Sequence, residues 1–536
     1  MNISGIPVSG YNLIIKNREN EMKKILTFLL ILITAASVFA GGENEKKSEK
    51  VLRVGVPDNP VYLDPAAKDD NVGMRVMGNI HETLIEVTAD GTIIPRLAEK
   101  WNQIDARTIE FTLRKDVVSH AGFPLDADDV LVSFGAGRVK NPEDPGYDFF
   151  KQYVGVFESI EKLDDYTVRL TKAEDDPLLI LRFTYPVSGI ICGDSYKAKT
   201  SWEDWMVHPV GFGPYYVDEF KPDESITFKK FDDYYGDKAP VDVIKYIVVP
   251  EMAPRIMGLL SGDYDLVTEV MPDQFSTIEK RKGFSVSGGP INNVRVIIYD
   301  EVASPVLKDP RVRLALNYSI DRELISNTLF KGITEVPKGV QMKNFGKMYI
   351  DEFKPVGFNP EKAKQLLKEA GYNGEEISYR YMVDYYTGEV ATAQILQQMW
   401  ADVGLNVKIE LKENWSQIET DEAAEGRGII NWSATAVFPD PLSQIARLYG
   451  PNGFFQEHNM WHNDNFNKQF EIISGTDPAA RREAVKKMLD ISENQDPPGT
   501  YLYLLPVFYG QSDKVKWTPI VSHFMDFRAG SLEIVE

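Results

Sequence analysis

DPRVRLALNYSIDRELISNTLFKG, residues 309–332, is the stretch from which the fold can be read. Asp309 suits a helix N-cap, and Pro310 suits the first helical position, where its missing N–H costs nothing. Val312, Ala315, Leu316 and Ser319 recur at helical spacing and make a face of small residues that packs closely. Asp321 reads as a second N-cap, with Leu324, Ile325, Thr328 and Leu329 behind it and Gly332 as the stop. Two capped helices fix local structure and leave function open.

Around this stretch the chain holds 536 residues, more than one hydrophobic core usually serves, so two or three domains are expected. Its 43% hydrophobic and 26% charged content is that of a folded protein with a solvated surface. A formal net charge of −21 argues against nucleic acid as a partner, because phosphates would be repelled. Cys192 is the sole cysteine, which excludes an internal disulfide and a cysteine-rich zinc site. It reads as a small buried hydrophobe.

Near the N-terminus Lys23 and Lys24 precede ILTFLLILITAASVF, and Val38-Phe39-Ala40 fits a small-x-small exit before Gly41-Gly42. A positive start, an apolar middle and a small-residue exit predict a secretory signal peptide within residues 1–40, with Met22 the better start. Residues 41–50 form a polar leader. The apolar run is too short for a membrane span. No cysteine stands at the cleavage point near Ala40/Gly41, so a lipoprotein anchor is excluded and a free periplasmic protein is expected.

From Val51 the chain alternates ordered segments with turns. VLRVGV is a buried-strand pattern, and the proline of YLDPA, residues 62–66, breaks it. Ile109, Phe111 and Leu113 alternate with polar residues, so one strand face is buried. Gly122 and Pro124 then turn the chain, and Asp126 to Asp129 cap a helix running through Val130, Leu131 and Phe134. Residues 202–214 read as a loop rich in aromatics and glycine. In FNPEKAKQLLKEAGY, residues 358–372, Asn359 is the N-cap, Pro360 holds the first position and Gly371 ends the helix. ISYRYMV, a helix at 391–403 and NVKIEL follow as strand, helix and strand, and this alternation argues an α/β lobe.

DPRVRLALNYSIDRE, the segment 95–134, the turn HPVGFGPYYVDEF and the helix FNPEKAKQLLKEAGY together resemble the bacterial extracellular solute-binding proteins of family 5. That family comprises peptide, nickel and opine receptors of ABC importers. The resemblance runs from residue 51 to the C-terminus, with small departures such as Ala121 for an acidic or amide residue and Phe212 for a threonine. It implies an α/β, two-lobed periplasmic binding protein of the large three-domain type (type II-like) with a double-segment hinge. Domain I would comprise residues 51–92, 206–292 and 505–536, domain II residues 93–205, and domain III, the second lobe, residues 293–504. The apolar runs 292–300 and 501–509 are the expected crossings. The implied role is capture of a small solute by cleft closure and its delivery to a membrane permease with ATPase subunits. A monomer without enzyme activity or cofactor is expected.

Peptide-binding members resemble one another in a loop written Trp-x-x-Asp-x-x-Asp/Glu-Pro, whose first aspartate meets the ligand's α-amino group. NWSATAVFPDPLSQ keeps Trp432 and Asp440-Pro441 at a spacing longer by two. Counting forward from Trp432 puts Thr435 in the amine-binding place, and counting back from Pro441 puts Val437 there. Neither is acidic, and a desolvated ammonium without its carboxylate costs several kcal/mol. An oligosaccharide, an opine-like conjugate or a blocked peptide is therefore expected ahead of free-amine peptides. The ligand candidates are Trp432, Thr435, Val437, Phe438, Asp440 and Trp461, the aromatics offering surface for a sugar ring or an apolar group. Asp440 also reads as the cap of a helix beginning near Leu442. His458 and His462, four apart beside a glycine-rich turn, read as a surface pair rather than a metal site. No Walker A loop or nucleophile elbow is present. The rival readings are a periplasmic hydrolase with a carboxylate pair in its cleft and a peptide-clamping chaperone.

Overall fold

Asp309 does cap a helix, Pro310–Tyr318, through its side chain and the backbone N–H of Arg311, and Asp321 caps the next, Arg322–Phe330, through the N–H of Leu324. These assignments come from a computed structural model, which describes residues 49–67, 71–88, 91–382 and 385–535. The expected signal peptide and most of the polar leader lie outside the described residues. The first helix buries Val312, Ala315 and Leu316 as its spacing requires. The second buries only part of the expected face. Ile325 is buried as expected, but Leu324 and Thr328 are exposed, and Ser326 and Phe330 are buried in their place. Arg322 sets that rotation, since its guanidinium donates to Thr500 Oγ1 at 2.8 Å and sits 3.6 Å from the buried Glu493 carboxylate. The helix ends at Phe330, two residues before Gly332, with Lys331 already left-handed at φ 53°.

Ten strands form one mixed sheet. Its order is Asn406–Lys412, Glu376–Met382, Ile429–Thr435, Phe284–Tyr299, Gly499–Ser512, Leu266–Val267, Val51–Val56, Val243–Val248, Ser225–Lys230 and Tyr215–Lys221. The central pair, Phe284–Tyr299 and Gly499–Ser512, is antiparallel and longer than any neighbour. Its N-terminal end, as read along the first strand, runs in register from Phe284↔Ser512 to Pro290↔Pro506. There the register breaks and resumes at Val294↔Leu504. Two prolines thus face each other where neither can donate a ladder hydrogen bond, and the pairing is interrupted. Beyond the break Phe284–Tyr299 takes Ile429–Thr435 on its other edge, from Asn293↔Thr435 to Tyr299↔Ile429. Before the break Gly499–Ser512 takes Leu266–Val267. The long pair therefore takes different neighbours on either side of the break.

A second sheet is four-stranded and antiparallel, in the order Ala98–Gln103, Thr108–Leu113, Thr167–Lys172 and Phe157–Asp164. Ile109, Phe111 and Leu113 are fully buried in its core, as their alternation predicts. The helix Ala127–Ser133 has a complete capping box between Asp126 and Asp129. Asp64, in the YLDPA turn, is buried and accepts from Arg138 and from the indole of Trp205, which fastens this region to the large sheet. Residues 202–214 are only half loop. Trp202–Val207 is helical because Ser201 caps it and Glu203 and Asp204 occupy its first turn. Gly211 follows, and a Cβ there would stand 2.4 Å from the Ile80 carbonyl oxygen, so only glycine fits. Cys192 is buried. No helix among the described residues is long and apolar enough to cross a membrane.

Candidate functional site

Trp432 lies on the strand Ile429–Thr435, half-buried, with its indole stacked on Phe454 (ring centroids 4.8 Å, 24° between planes) and edge-on to Trp415 at 5.2 Å. Thr435 ends the same strand, and Val437 follows it in the loop, both half-buried. Phe438 is buried, and its neighbours come from far back in the chain: the Tyr185 ring at 6.0 Å and the Arg182 guanidinium 5.4 Å from its centre. Trp432 and Thr435 stand three apart on the strand and so face opposite sides of the sheet, and the six candidates do not share one wall. Asp440 is fastened inside the second lobe, its carboxylate accepting two bonds from Arg481 Nη2 (2.7 and 2.9 Å) and one from the N–H of Leu442 (2.9 Å). Trp461 is fully buried with its ring edge-on to Phe466 at 5.2 Å, so its surface serves the core.

Beside the strand break, a narrow pocket is lined by Arg75, Glu269, Val507 and His523 and by Tyr385, Tyr386 and Thr387. Its volume of about 20 Å³ holds little more than one water. Glu269 joins the two walls, accepting from Arg75 Nη2 at 2.8 Å and from the Thr387 hydroxyl at 2.8 Å. It does so from a left-handed backbone, φ 60°, which a non-glycine residue holds only at a cost of about 1–3 kcal/mol. The backbone N–H of Asn71 donates to the Tyr385 hydroxyl across the same gap (3.4 Å). Burial works against the charge of Arg75, but Glu269 and Asp58 outweigh it and hold the guanidinium above its usual range. Burial pulls the His523 imidazole down to about 4, so it is neutral at pH 7.

Beneath the pocket Arg295, on the long strand Phe284–Tyr299, makes two bonds to the Glu389 carboxylate (2.7 and 2.8 Å), both side chains fully buried. Burial opposes the charge on Arg295, and Glu389 overrides it and keeps the guanidinium ionised. The same guanidinium lies 4.3 Å from the centre of the Tyr386 ring, so the pocket wall rests on an ion pair anchored in the crossing strand. At the outer rim, Lys151 reaches Glu457 (3.4 Å), and Arg447 covers Tyr153 (5.3 Å), which stacks on Tyr185 at 5.1 Å.

The sequence offered no motif for Arg75, Glu269 or Thr387. Arg75 sits inside an apolar run, and the left-handed turn at Glu269 carries no glycine to announce it. Tyr385 and Trp415 were findable only as further aromatics. His458 and His462 go separate ways, the first to Asp421 (3.1 Å) and the second to Asp464 (2.9 Å). Among the described residues no group of three or more histidine, cysteine or acidic side chains is placed to hold a metal. The arrangement supplies apolar rings and a few polar groups, which suits binding of a small solute.

Residues 92–456 match the family described as bacterial extracellular solute-binding proteins, family 5 middle. The chain is 27% identical over 533 residues to the dipeptide-binding protein of Escherichia coli (strain K12), covering 93% of this chain and 96% of that protein. It is 27% identical over 461 residues to heme-binding protein A of Haemophilus influenzae, covering 78% and 80%. Among solved structures, an ABC transporter-associated periplasmic binding protein from Helicobacter pylori in complex with the peptide STSA superposes with a TM-score of 0.81 at 23% identity, covering 91% of this chain and 99% of that one. A periplasmic binding protein in complex with agropinic acid superposes with a TM-score of 0.78 at 24% identity, covering 91% and 99%. At such identities the structural likeness speaks for the fold.

Proposed function

Because the chain belongs to the bacterial extracellular solute-binding proteins of family 5, we propose that it is the solute-capturing component of an ABC importer. It binds one small solute between its lobes without transforming it, and presents it to a membrane permease served by separate ATPase subunits. The observation that carries this reading is the paired strand break, Pro290 opposite Pro506, flanked by Glu269 bridging Arg75 and Thr387 across the lobes. Such a double crossing absorbs the rotation of a closing cleft. The same break supports domain boundaries at 292/293 and 504/505. Trp432, Thr435, Val437 and Phe438 are the proposed ligand-facing residues, with Asp440 and Trp461 supporting them from behind.

The solute is one whose binding does not depend on pairing an ammonium with this loop. Asp440 is the sole acid between Trp432 and Pro441, and Arg481 and Leu442 occupy its oxygens. The signal-peptide pattern and the family support a periplasmic protein processed near Gly41, released as a monomer by osmotic shock. Isothermal titration combined with small-angle scattering tests the central claim. A bound solute should shrink the radius of gyration and be recovered intact; turnover of the solute, or binding with no change in radius, would overturn it.

A further inference from the structure

Two stretches far apart in sequence exchange arginines. The helix Tyr147–Tyr153 and the turn at 182–185 form one side, and residues 438–457 form the other. From the first side the Arg182 guanidinium lies 5.4 Å from the centre of the Phe438 ring, and from the second the Arg447 guanidinium lies 5.3 Å from the centre of Tyr153. Tyr185 joins the two contacts, stacked on Tyr153 (5.1 Å, 12° between planes) and edge-on to Phe438 (6.0 Å, 71°). Tyr153, Tyr185 and Phe438 are only 3%, 8% and 1% exposed. Arg447 comes from Ile445–Tyr449, which is wound as a single π-turn closed by a bond from the Gly450 N–H to the Ile445 carbonyl oxygen (2.8 Å). Such turns are rare and gather at functional sites. None of these residues lines the pocket beside the strand break.

We propose that this exchange is a clasp that fastens the cleft as it closes, an assignment that rests on the solute-capture reading above. The first side falls in proposed domain II and the second in proposed domain III, so opening a cleft between them parts the contacts. Parting them returns Tyr153, Tyr185 and Phe438 to water and takes both guanidiniums off the rings they cover. The clasp therefore favours the closed arrangement whatever the solute. It adds to affinity without choosing between solutes, because apparent affinity rises with the population of the binding-competent form. Lys151 and Glu457 span the same two sides at 3.4 Å, but at 37% and 42% exposed the pair is screened by solvent and contributes little. Phe438 stands in the loop that follows Trp432, which ties the clasp to the proposed solute-facing residues.

The exposed pair offers a reporter of closure that needs no solute. In the full chain, whose own Cys192 is buried, Lys151→Cys and Glu457→Cys should be joined by a short bis-maleimide supplied one per protein. The trapping rate then reads how often the two sides meet. In this background Arg447→Ala should slow trapping by roughly tenfold, the equivalent of one desolvated cation–aromatic contact. Arg447→Lys should slow it less, and Tyr153→Phe, which keeps the ring, should leave it near the parent rate. Thermal melts matched to the parent show that each variant is folded. If Arg447→Ala does not match, Tyr185→Leu breaks the joint between the two contacts and carries the same expectation. Equal trapping with and without these side chains overturns the clasp while solute capture stands, because the two sides still meet. If no variant traps, the two sides do not come together, and both readings fall.

Discussion

Replacing Asp440 with alanine separates a residue that reads the ligand from one that holds the loop. As a helix cap alone, its removal would cost about 1 kcal/mol. The structure demands more. The carboxylate receives Arg481 twice at 2.7 and 2.9 Å and Leu442 once at 2.9 Å, and the two side chains are only 10% and 11% exposed. Asp440→Ala therefore strands a guanidinium whose remaining bond is from Nε to the Ile473 carbonyl oxygen. Removing one partner of a buried pair costs about 3–5 kcal/mol, so the loss should fall in that range. Asp440→Leu combined with Arg481→Met should recover most of it, because a well-packed apolar pair replaces the ions at little net cost. Urea unfolding followed by tryptophan fluorescence measures both variants. A loss near 1 kcal/mol for the single variant, or no recovery in the double one, would show that the ion pair does not hold the loop. Loss of solute affinity at unchanged stability would return Asp440 to the binding surface.

Three further perturbations address other parts of the mechanism. Burial holds His81 neutral, its pKa pulled down to about 4, while its unfolded counterpart titrates near 6.5. The unfolded chain thus gains the proton first, so His81's contribution is intact above about pH 6.5 and up to about 3 kcal/mol is lost by about pH 4; His81→Gln should flatten part of that slope in urea midpoints measured across the range. Glu269→Ala cuts the link between Arg75 and Thr387 and should raise the radius of gyration at subsaturating solute; identical scattering from parent and variant would remove Glu269 from the closing contact. Gly211→Ala drives a methyl to 2.4 Å from the Ile80 carbonyl oxygen and should destabilise by about 1–3 kcal/mol, an effect absent from thermal melts only if the turn does not pack as described.

Local chemistry was legible where it was self-contained. Asn359, Pro360 and Gly371 bracket the helix Pro360–Ala370 because a cap, a first-turn proline and a left-handed stop need no partner elsewhere in the chain. The strand read at 292–300 was found but shortened. It begins at Phe284, and FSVSGGPI looks like a loop because two glycines and a proline interrupt it. The glycines nevertheless stay in the ladder, opposite Phe508 and Val507, and the register breaks only after Pro290. Ser201 with Glu203 and Asp204 did carry a helix signal, masked by the two tryptophans and the methionine that follow. What could not be read depends on distance along the chain. Arg481 is 41 residues from Asp440, Glu389 is 94 from Arg295 and Thr387 is 118 from Glu269. No local pattern announces such pairs.

These distant pairs explain how binding and closure can be one event. Asn293 lies inside the register break, and its side-chain nitrogen is 3.2 Å from Ser433 Oγ and 3.4 Å from His523 Nε2. His523 lines the pocket, and Ser433 follows Trp432 in the strand. Two residues beyond Asn293, Arg295 holds Glu389 and supports the Tyr386 ring from below. A solute that settles against Tyr386 or Trp432 thus presses on groups bonded directly to the crossing strand. Closure needs a solute that favours the closed arrangement over the open one by more than the cost of the rotation. The bonds of Glu269 to Arg75 and to Thr387 contribute to that preference alongside the solute.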